Sequence, residues 1–322
     1  MRIQVVLNKY KPNFKGVDAM LISIDHGNKQ IKTVHKTFTS GLCESNTRPP
    51  FGGDVLFYNG KYYTLSDQRI PYMRDKTADE RFFILTLFAI GFELRRMLPS
   101  EKTVSIQLCV GLPPAHYGTL YRKFEQYFLD RGILDFQLDE EKFSVHITEA
   151  ECFPQAYAAA MPVFQKLRQM PKAVIVDIGG FTADYLQIKY GEVDLSVCDS
   201  LENGVIVLYN RIRSKINADF DMLLDESDID AILMDSTQEY DEPVCKIVRE
   251  QAQLFIDDLA GKLRERMIDL RSGKTVFVGG GSILLKKQIE ACSKIGPALF
   301  VDELSANTKG YELLYRASRF GG

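Results

Sequence analysis

The sequence is poor in the residues that build metal centres, and it keeps those it has apart. Four histidines (His26, His35, His116, His146) and six cysteines (Cys43, Cys109, Cys152, Cys198, Cys245, Cys292) are scattered over 322 residues, with no C-x-x-C pair. That spacing excludes a zinc ribbon and a disulfide framework, and it suits free thiols in a reducing cytoplasm. No apolar run approaches the roughly 18 to 20 residues that span a bilayer, so no membrane association is expected. The start, MRIQVVLNKYKPNFKG, holds too short an apolar stretch for a signal peptide. An excess of one charge is missing too: 40 Lys and Arg face 43 Asp and Glu, a formal net charge of -3. Such a balance gives no strong global pull on nucleic acid, so no direct DNA binding is expected. Lys9, Lys11 and Lys15 form a small basic patch that reads as solvated surface. Neither G-x-x-x-x-G-K-[ST] nor a properly spaced G-x-G-x-x-G occurs, which argues against a P-loop or a Rossmann site.

What is present is a globular α/β protein. Hydrophobic residues make up 45% and charged residues 26%, over a length that allows two domains with buried cores. Buried strands are expected at 19–25, 103–114 and 174–178, and hairpins at 55–65 and 181–200 with Asn59-Gly60 and Tyr190-Gly191 at the turns. Helical spacing predicts helices over 77–98, 115–131, 203–218, 225–234, 243–271 and 306–319. Residues 143–161 read as a strand, a link and a small-residue helix; 274–292 reads as strand, glycine turn and helix. Strands alternate with helices, which is the α/β pattern.

One plan occurs twice. LISIDHGNKQIKTV and VIVDIGGFTADYLQI each run a buried strand into Asp, then x-Gly, a polar turn and a second strand. This predicts two related halves facing each other. Glycine lets such a turn bring backbone N–H groups close to an anion. Asp25 and Asp177 would repel a phosphate unless a divalent cation sat between, held mainly through water as Mg²⁺ prefers. Lys32, on the outgoing strand of the first hairpin, is within reach of the phosphates as a point charge. A third cluster, Gly279-Gly280-Gly281-Ser282, leaves backbone free to lie against a nucleotide at a helix start.

In that order the three segments resemble the actin, sugar kinase and 70-kDa heat-shock chaperone superfamily. IDHGNKQIK resembles its first phosphate loop, IVDIGGFTADYL its second, and VFVGGGSILL its adenosine loop. Within it the chain is most similar to the ParM/StbA family of bacterial plasmid-segregation ATPases, through GKYYTL with DKTADERFFILTLFAI, VGLPP, CDSLENGV and ANTKGYELL. The resemblance runs from about residue 18 onward; residues 1–17 would be an extra strand. It implies a duplicated, ribonuclease H-like actin fold: domain I over 1–170, completed by 306–322, and domain II over 171–305. It implies Mg²⁺ with ATP, or GTP in its place, bound in the cleft. Asp25 and Asp177 would hold Mg²⁺ through its waters. Gly27, Asn28, Gln30 and Lys32 would contact the β- and γ-phosphates, and Gly179, Gly180 and Thr182 would cradle them from the other side. Asp184 would fix that loop. Glu202, Asn203 and Gly204 would approach ribose and base, and Gly279, Gly280, Gly281 and Ser282 would close over the adenosine. ITEAECFPQAY matches the segment whose Glu or Gln orients the attacking water; Glu151 falls at that position, with Glu149 and Gln155 one register error away. His26 departs from the family pattern and would face phosphate or point away. The implied function is a filament-forming ATPase that moves plasmid DNA through a ParR-like adaptor on a centromere-like site. A small-molecule kinase of the superfamily is the alternative. A chaperone-type switch is disfavoured, because the chain ends soon after its last helix.

Overall fold

The computed structural model describes residues 19–50, 53–97 and 103–320. The extra strand expected within 1–17, and the lysine patch beside it, lie outside these residues. The first half comprises β1 (Met20–His26), β2 (Gln30–Lys32), β3 (Thr37–Thr39), β4 (Gly41–Ser45), β5 (Val55–Tyr58), β6 (Lys61–Arg69), α1 (Glu80–Met97), β7 (Val104–Leu112), α2 (Pro114–Leu129), β8 (Ile133–Leu138) and β9 (Glu141–Pro154). A linking α3 (Phe164–Arg168) leads to β10 (Lys172–Ile178), β11 (Ala183–Lys189), β12 (Glu192–Leu201), α4 (Val205–Phe220), α5 (Glu226–Leu233), α6 (Glu242–Glu265), β13 (Lys274–Val278), α7 (Gly280–Leu284), α8 (Lys286–Ala291), β14 (Ala298–Phe300) and α9 (Ala306–Phe320).

The two halves repeat one sheet plan, and the fold is actin-like. One sheet has the order β3-β2-β1-β7-β9, extended by β8-β5-β6-β4; the other is β12-β11-β10-β13-β14. In each, the strand that ends in Asp is central. Antiparallel strands follow on one side and parallel strands on the other. Helices cover both faces, which is why β1, β10 and β13 read as mostly apolar runs. Among the described residues no helix is long and apolar enough to cross a membrane.

Two helices differ from expectation. The helix predicted to reach 271 stops at Glu265, although Ile268 and Leu270 are buried. Met267 turns left-handed (φ 63°), and its N–H and that of Ile268 bond back to Arg264 and Leu263. This is a Schellman stop with methionine where glycine is usual, so composition hides it. The small-residue stretch after β9 is a 3₁₀ run, Ala158–Val163, with Pro162 inside it and Ala156 at φ 61° before it. Its small side chains let α9 dock closely: a Cβ on Gly310 would overlap the Ala158 carbonyl. The short strands β2, β3, β4, β8 and β14 have too few residues for a clear period.

Helix α9 lies along β1 and β7 and covers the face of β9 that carries Glu149, Glu151 and Phe153. Asn307, Tyr311, Tyr315 and Arg319 recur every four residues and so share one helix face. Tyr311 stacks on Phe153 at 5.9 Å, Tyr315 donates to Glu149 at 2.8 Å, and Arg319 pairs with Glu149.

Candidate functional site

The two acidic hairpins face each other across one cleft. In the first, Asp25 opposes Lys32 in register, and the Ser40 hydroxyl holds the turn by donating to the Gly27 carbonyl at 2.5 Å. In the second, Asp177 opposes Asp184, and the Gly179 N–H closes the turn onto the Thr182 carbonyl at 2.8 Å. The start of α4 is tied to this loop: Val205 and Ile206 donate to the Gly179 and Gly180 carbonyls, and Gly204 donates to Phe181. Glycine is required at 180 because a Cβ there would overlap the stem of Lys29 on the opposite hairpin.

One amide group links the two carboxylates. Asn307 Nδ2 lies 3.4 Å from Asp25 Oδ2 and 3.2 Å from Asp177 Oδ2, while its Oδ1 accepts from the Ala156 N–H at 3.1 Å. Gln155 Nε2 donates to Asp25 Oδ1 at 2.6 Å. Both carboxylates are buried. The cleft encloses about 310 Å³. Its lining combines the Gly280-Gly281 backbone, Val205, Met234, Ile283 and Leu304 with Asp25, Lys32, Lys76, Gln155, Asp177 and Asp184; Leu304 packs by Gly280 and Val205 by Gly281. A larger hollow of about 430 Å³ lies elsewhere in the second half, where Asp235 pairs with Arg249 and Lys287, without a glycine loop.

Burial pushes the Asp177 carboxyl up to about 6; Lys32 opposes the rise and Asp25 adds to it. Burial, then the charge of Asp177, brings Asp184 to about 7. Two buried carboxylates sharing one neutral amide are poorly compensated, and a cation near them would relieve that. Among the described residues no group of three or more His, Cys, Asp or Glu side chains is arranged to hold a metal. Asp25 and Asp177 are the pair of carboxylates at the cleft, and Mg²⁺ takes one or two carboxylates and fills its shell with water and phosphate.

The structure brings Asp25, Gly27, Asn28, Gln30, Lys32, Asp177, Gly179, Gly180, Thr182, Asp184, Gly280 and Gly281 to the cleft lining. Asn28 Oδ1 is buried there with no hydrogen-bond partner among the described residues. Gly279 stands just behind, at φ 87°, where a Cβ would overlap Asp177 Oδ1. Ser282 is buried, and its hydroxyl too lacks a partner among the described residues. Glu202, Asn203 and Gly204 do not line the cleft. Glu202 is exposed, Asn203 accepts from Lys262 at 2.8 Å, and Gly204 packs against the Gly180 carbonyl. Glu151 and Glu149 are also away from the cleft, beneath Arg319, with Glu151 3.5 Å from the guanidinium. Of the three candidates on that segment, Gln155 is the one in the cleft. His26 points away from it. Its Nε2 meets Thr86 Oγ1 at 2.8 Å between Phe124 and Phe128, and burial lowers its pKa to about 3. Because the Thr86 hydroxyl donates to the Phe82 carbonyl, the ring nitrogen is the donor.

Sequence reasoning misses Lys29, Lys76, Tyr209 and Asn307. Lys29 Nζ crosses the cleft to Tyr209 Oη at 2.9 Å and to Glu226 at 3.2 Å. Arg69 joins Glu226 at 2.8 Å, and Tyr72 stacks on Phe181 at 5.6 Å. Lys29 in IDHGNKQIK, Lys76 in DKTADERFFILTLFAI and Asn307 in ANTKGYELL all lie in matching segments, where sequence assigned them no role; Tyr209 lies in none.

Residues 23–157 match a family model described as the N-terminal domain of actin-like proteins. Residues 175–291 match one described as the C-terminal part of an archaeal MreB-like actin homologue. Among solved structures the fold is similar to Ta0583, an archaeal actin homolog in complex with ADP, at 19% identity, covering 92% of this chain and 99% of that one with a TM-score of 0.69. It is similar to Bacillus thuringiensis ParM with AMPPNP at 13% identity, covering 92% and 98%, TM-score 0.65. An AlfA filament bound to AMPPNP matches at 17% identity over 94% and 98%, TM-score 0.60. No curated protein matches the sequence significantly.

Proposed function

We propose that this chain, actin-like in fold, is a ParM-like nucleoside triphosphatase whose subunits assemble into filaments on binding ATP or GTP with Mg²⁺. The observation that carries the reading is the meeting of two acidic glycine hairpins around Asn307, beside an apolar slot floored by Gly280 and Gly281. The slot suits a base and sugar, and the hairpins suit a phosphate chain. Domain I, over 1–170 with 306–322, and domain II, over 171–305, would be the two walls.

Backbone N–H groups of 179–180 and 27–28, with Gln30 and Lys32, would hold the phosphates. Asp25 and Asp177 would hold Mg²⁺ through its waters, and the ion would neutralise phosphate charge. Gln155 is the proposed water-orienting residue. A carboxylate can only accept, so the amide nitrogen must face Asp25, which leaves Oε1 free to accept from the attacking water. Such a group sets the line of attack on the terminal phosphorus, and excluding bulk water sharpens it. Asp184 would brace the second loop through Thr182, 3.4 Å away.

Filament growth by head-to-tail addition is a heterologous contact that does not close. In plasmid segregation the DNA would be held by a ParR-like adaptor, consistent with a chain that carries no basic excess. The cytoplasm is the proposed location. The test mixes purified protein with Mg-ATP or Mg-GTP, follows light scattering and pellets the product. A reversible, nucleotide-dependent rise is expected. A flat signal at every concentration, with phosphorylation of a small metabolite, would move the assignment to a kinase.

A further inference from the structure

Lys76 stands out among the cations of the molecule. It is 4% exposed and lines the cleft. Among the described residues no carboxylate lies within ion-pair distance of its ammonium, and its one close aromatic neighbour is Phe82, 5.7 Å from the ring centre. Burying an ammonium without a partner is costly, and an apolar side chain of the same length would be cheaper there. Burial accordingly lowers its pKa to about 8, against the fields of Asp25 and Asp184.

The backbone of Lys76 is held in place. It begins the 3₁₀ turn Lys76–Ala78, capped by Asp75, whose Oδ1 accepts from the Thr77 N–H at 3.1 Å and the Thr77 hydroxyl at 2.6 Å. Asp75 Oδ2 accepts from Lys123 of α2 at 2.6 Å. The turn thus fixes the stem that carries the ammonium into the cleft. The charges acting on Lys76 belong to Asp25, Asp184 and Cys152. Asp25 and Asp184 line the same cleft, and Gln155 donates to Asp25, so Lys76 stands on the carboxylate side of the cleft, where a triphosphate would place its last phosphoryl group.

We propose that Lys76 is a ligand of the terminal phosphoryl group and makes the cleft prefer a nucleoside triphosphate over a diphosphate. This rests on the nucleotide-binding reading above. A fixed, partly desolvated ammonium gains a charge-assisted hydrogen bond only when the third phosphoryl group is there to accept it. The same group disappears on hydrolysis, so affinity falls at that step.

The test compares the Kd of AMPPNP and of ADP, each with Mg²⁺, for the wild type, Lys76→Met and Lys76→Arg, with a thermal melt of each protein. Lys76→Met is expected to weaken AMPPNP binding about tenfold to a hundredfold, the range of one charge-assisted bond, and to leave ADP within about threefold. Its melting temperature should not fall, since a buried charge is removed, and Lys76→Arg should restore part of the preference. An unchanged AMPPNP-to-ADP ratio in Lys76→Met overturns the proposal. So does a lowered melting temperature with equal loss of both ligands, which would make Lys76 a structural counter-ion to Asp25 and Asp184. A wild type that binds neither ligand overturns the nucleotide reading itself, and this role with it.

Discussion

Gln155→Ala is the perturbation that separates the cleft from the strand that leads to it. Gln155 is 7% exposed and donates to Asp25 Oδ1 at 2.6 Å. Truncation removes a hydrogen bond to a buried carboxylate, worth about 1.5–3 kcal/mol, and leaves one Asp25 oxygen without its donor. Asn307 still contacts the other oxygen, so the fold should survive a loss near the low end of that range. The rate should suffer more. Removing a group that positions the reacting water costs roughly 10²-fold or more, about 2.7 kcal/mol of barrier. Glu151→Ala is the control, because Glu151 contacts Arg319 and does not line the cleft. The assay is phosphate release at saturating Mg-ATP, with AMPPNP affinity measured alongside. Gln155→Ala should hydrolyse at least ~10²-fold more slowly with affinity changed by less than about tenfold, and Glu151→Ala should stay within about twofold of wild type. If Glu151→Ala loses turnover while Gln155→Ala keeps it, the assignment of the water to Gln155 is wrong.

Gly279→Ala should both destabilise the protein and abolish nucleotide binding. The backbone there (φ 87°, ψ 161°) is all but confined to glycine, at about 1–3 kcal/mol for another residue, and the new methyl group would displace Asp177; a thermal melt and an ADP titration read the two effects. Glu151→Gln should flatten the pH dependence of stability. Burial, then the Glu125 charge, raises Glu151 to about 7, while Arg319, 3.5 Å away and shared with Glu149, pulls the other way. The folded state therefore binds this proton more tightly than the unfolded chain. Wild-type stability should fall as pH rises from about 4.5 to about 7, by up to ~3 kcal/mol, and level off above. Denaturant titrations across that window should show the slope in the wild type and a smaller one in Glu151→Gln; equal slopes would show that another group titrates.

The acidic hairpins are legible in sequence because each follows a largely apolar run, and an apolar run that stops at Asp-x-Gly has few local explanations. The duplicated sheet is legible for the same reason, since β1 and β10 occupy the same place in their sheets. Which of the three β9-segment candidates reaches the cleft is not. Glu149, Glu151 and Gln155 have the same parity, so all project from one face of the β9 segment, and periodicity cannot tell where α9 stops covering that face. The answer comes from the register of α9, whose Arg319 lies over the glutamates and whose Asn307 reaches the cleft. Lys76 is illegible because burial of a lysine is a tertiary fact; in DKTADE it reads as surface. Glu202, Asn203 and Gly204 match the family by order, yet the turn before α4 folds back onto the Gly180 loop instead of opening towards the slot.

Asn307 lies 282 residues beyond Asp25 in the chain, yet among the described residues it alone hydrogen-bonds both carboxylates. A ribosome therefore delivers both halves of the clamp long before it delivers the residue that joins them. Until then a nascent chain carries two uncoupled acidic hairpins and no shared grip. On the proposed function, competence to assemble would thus arrive with α9, and unfinished subunits would not seed polymer while still being made.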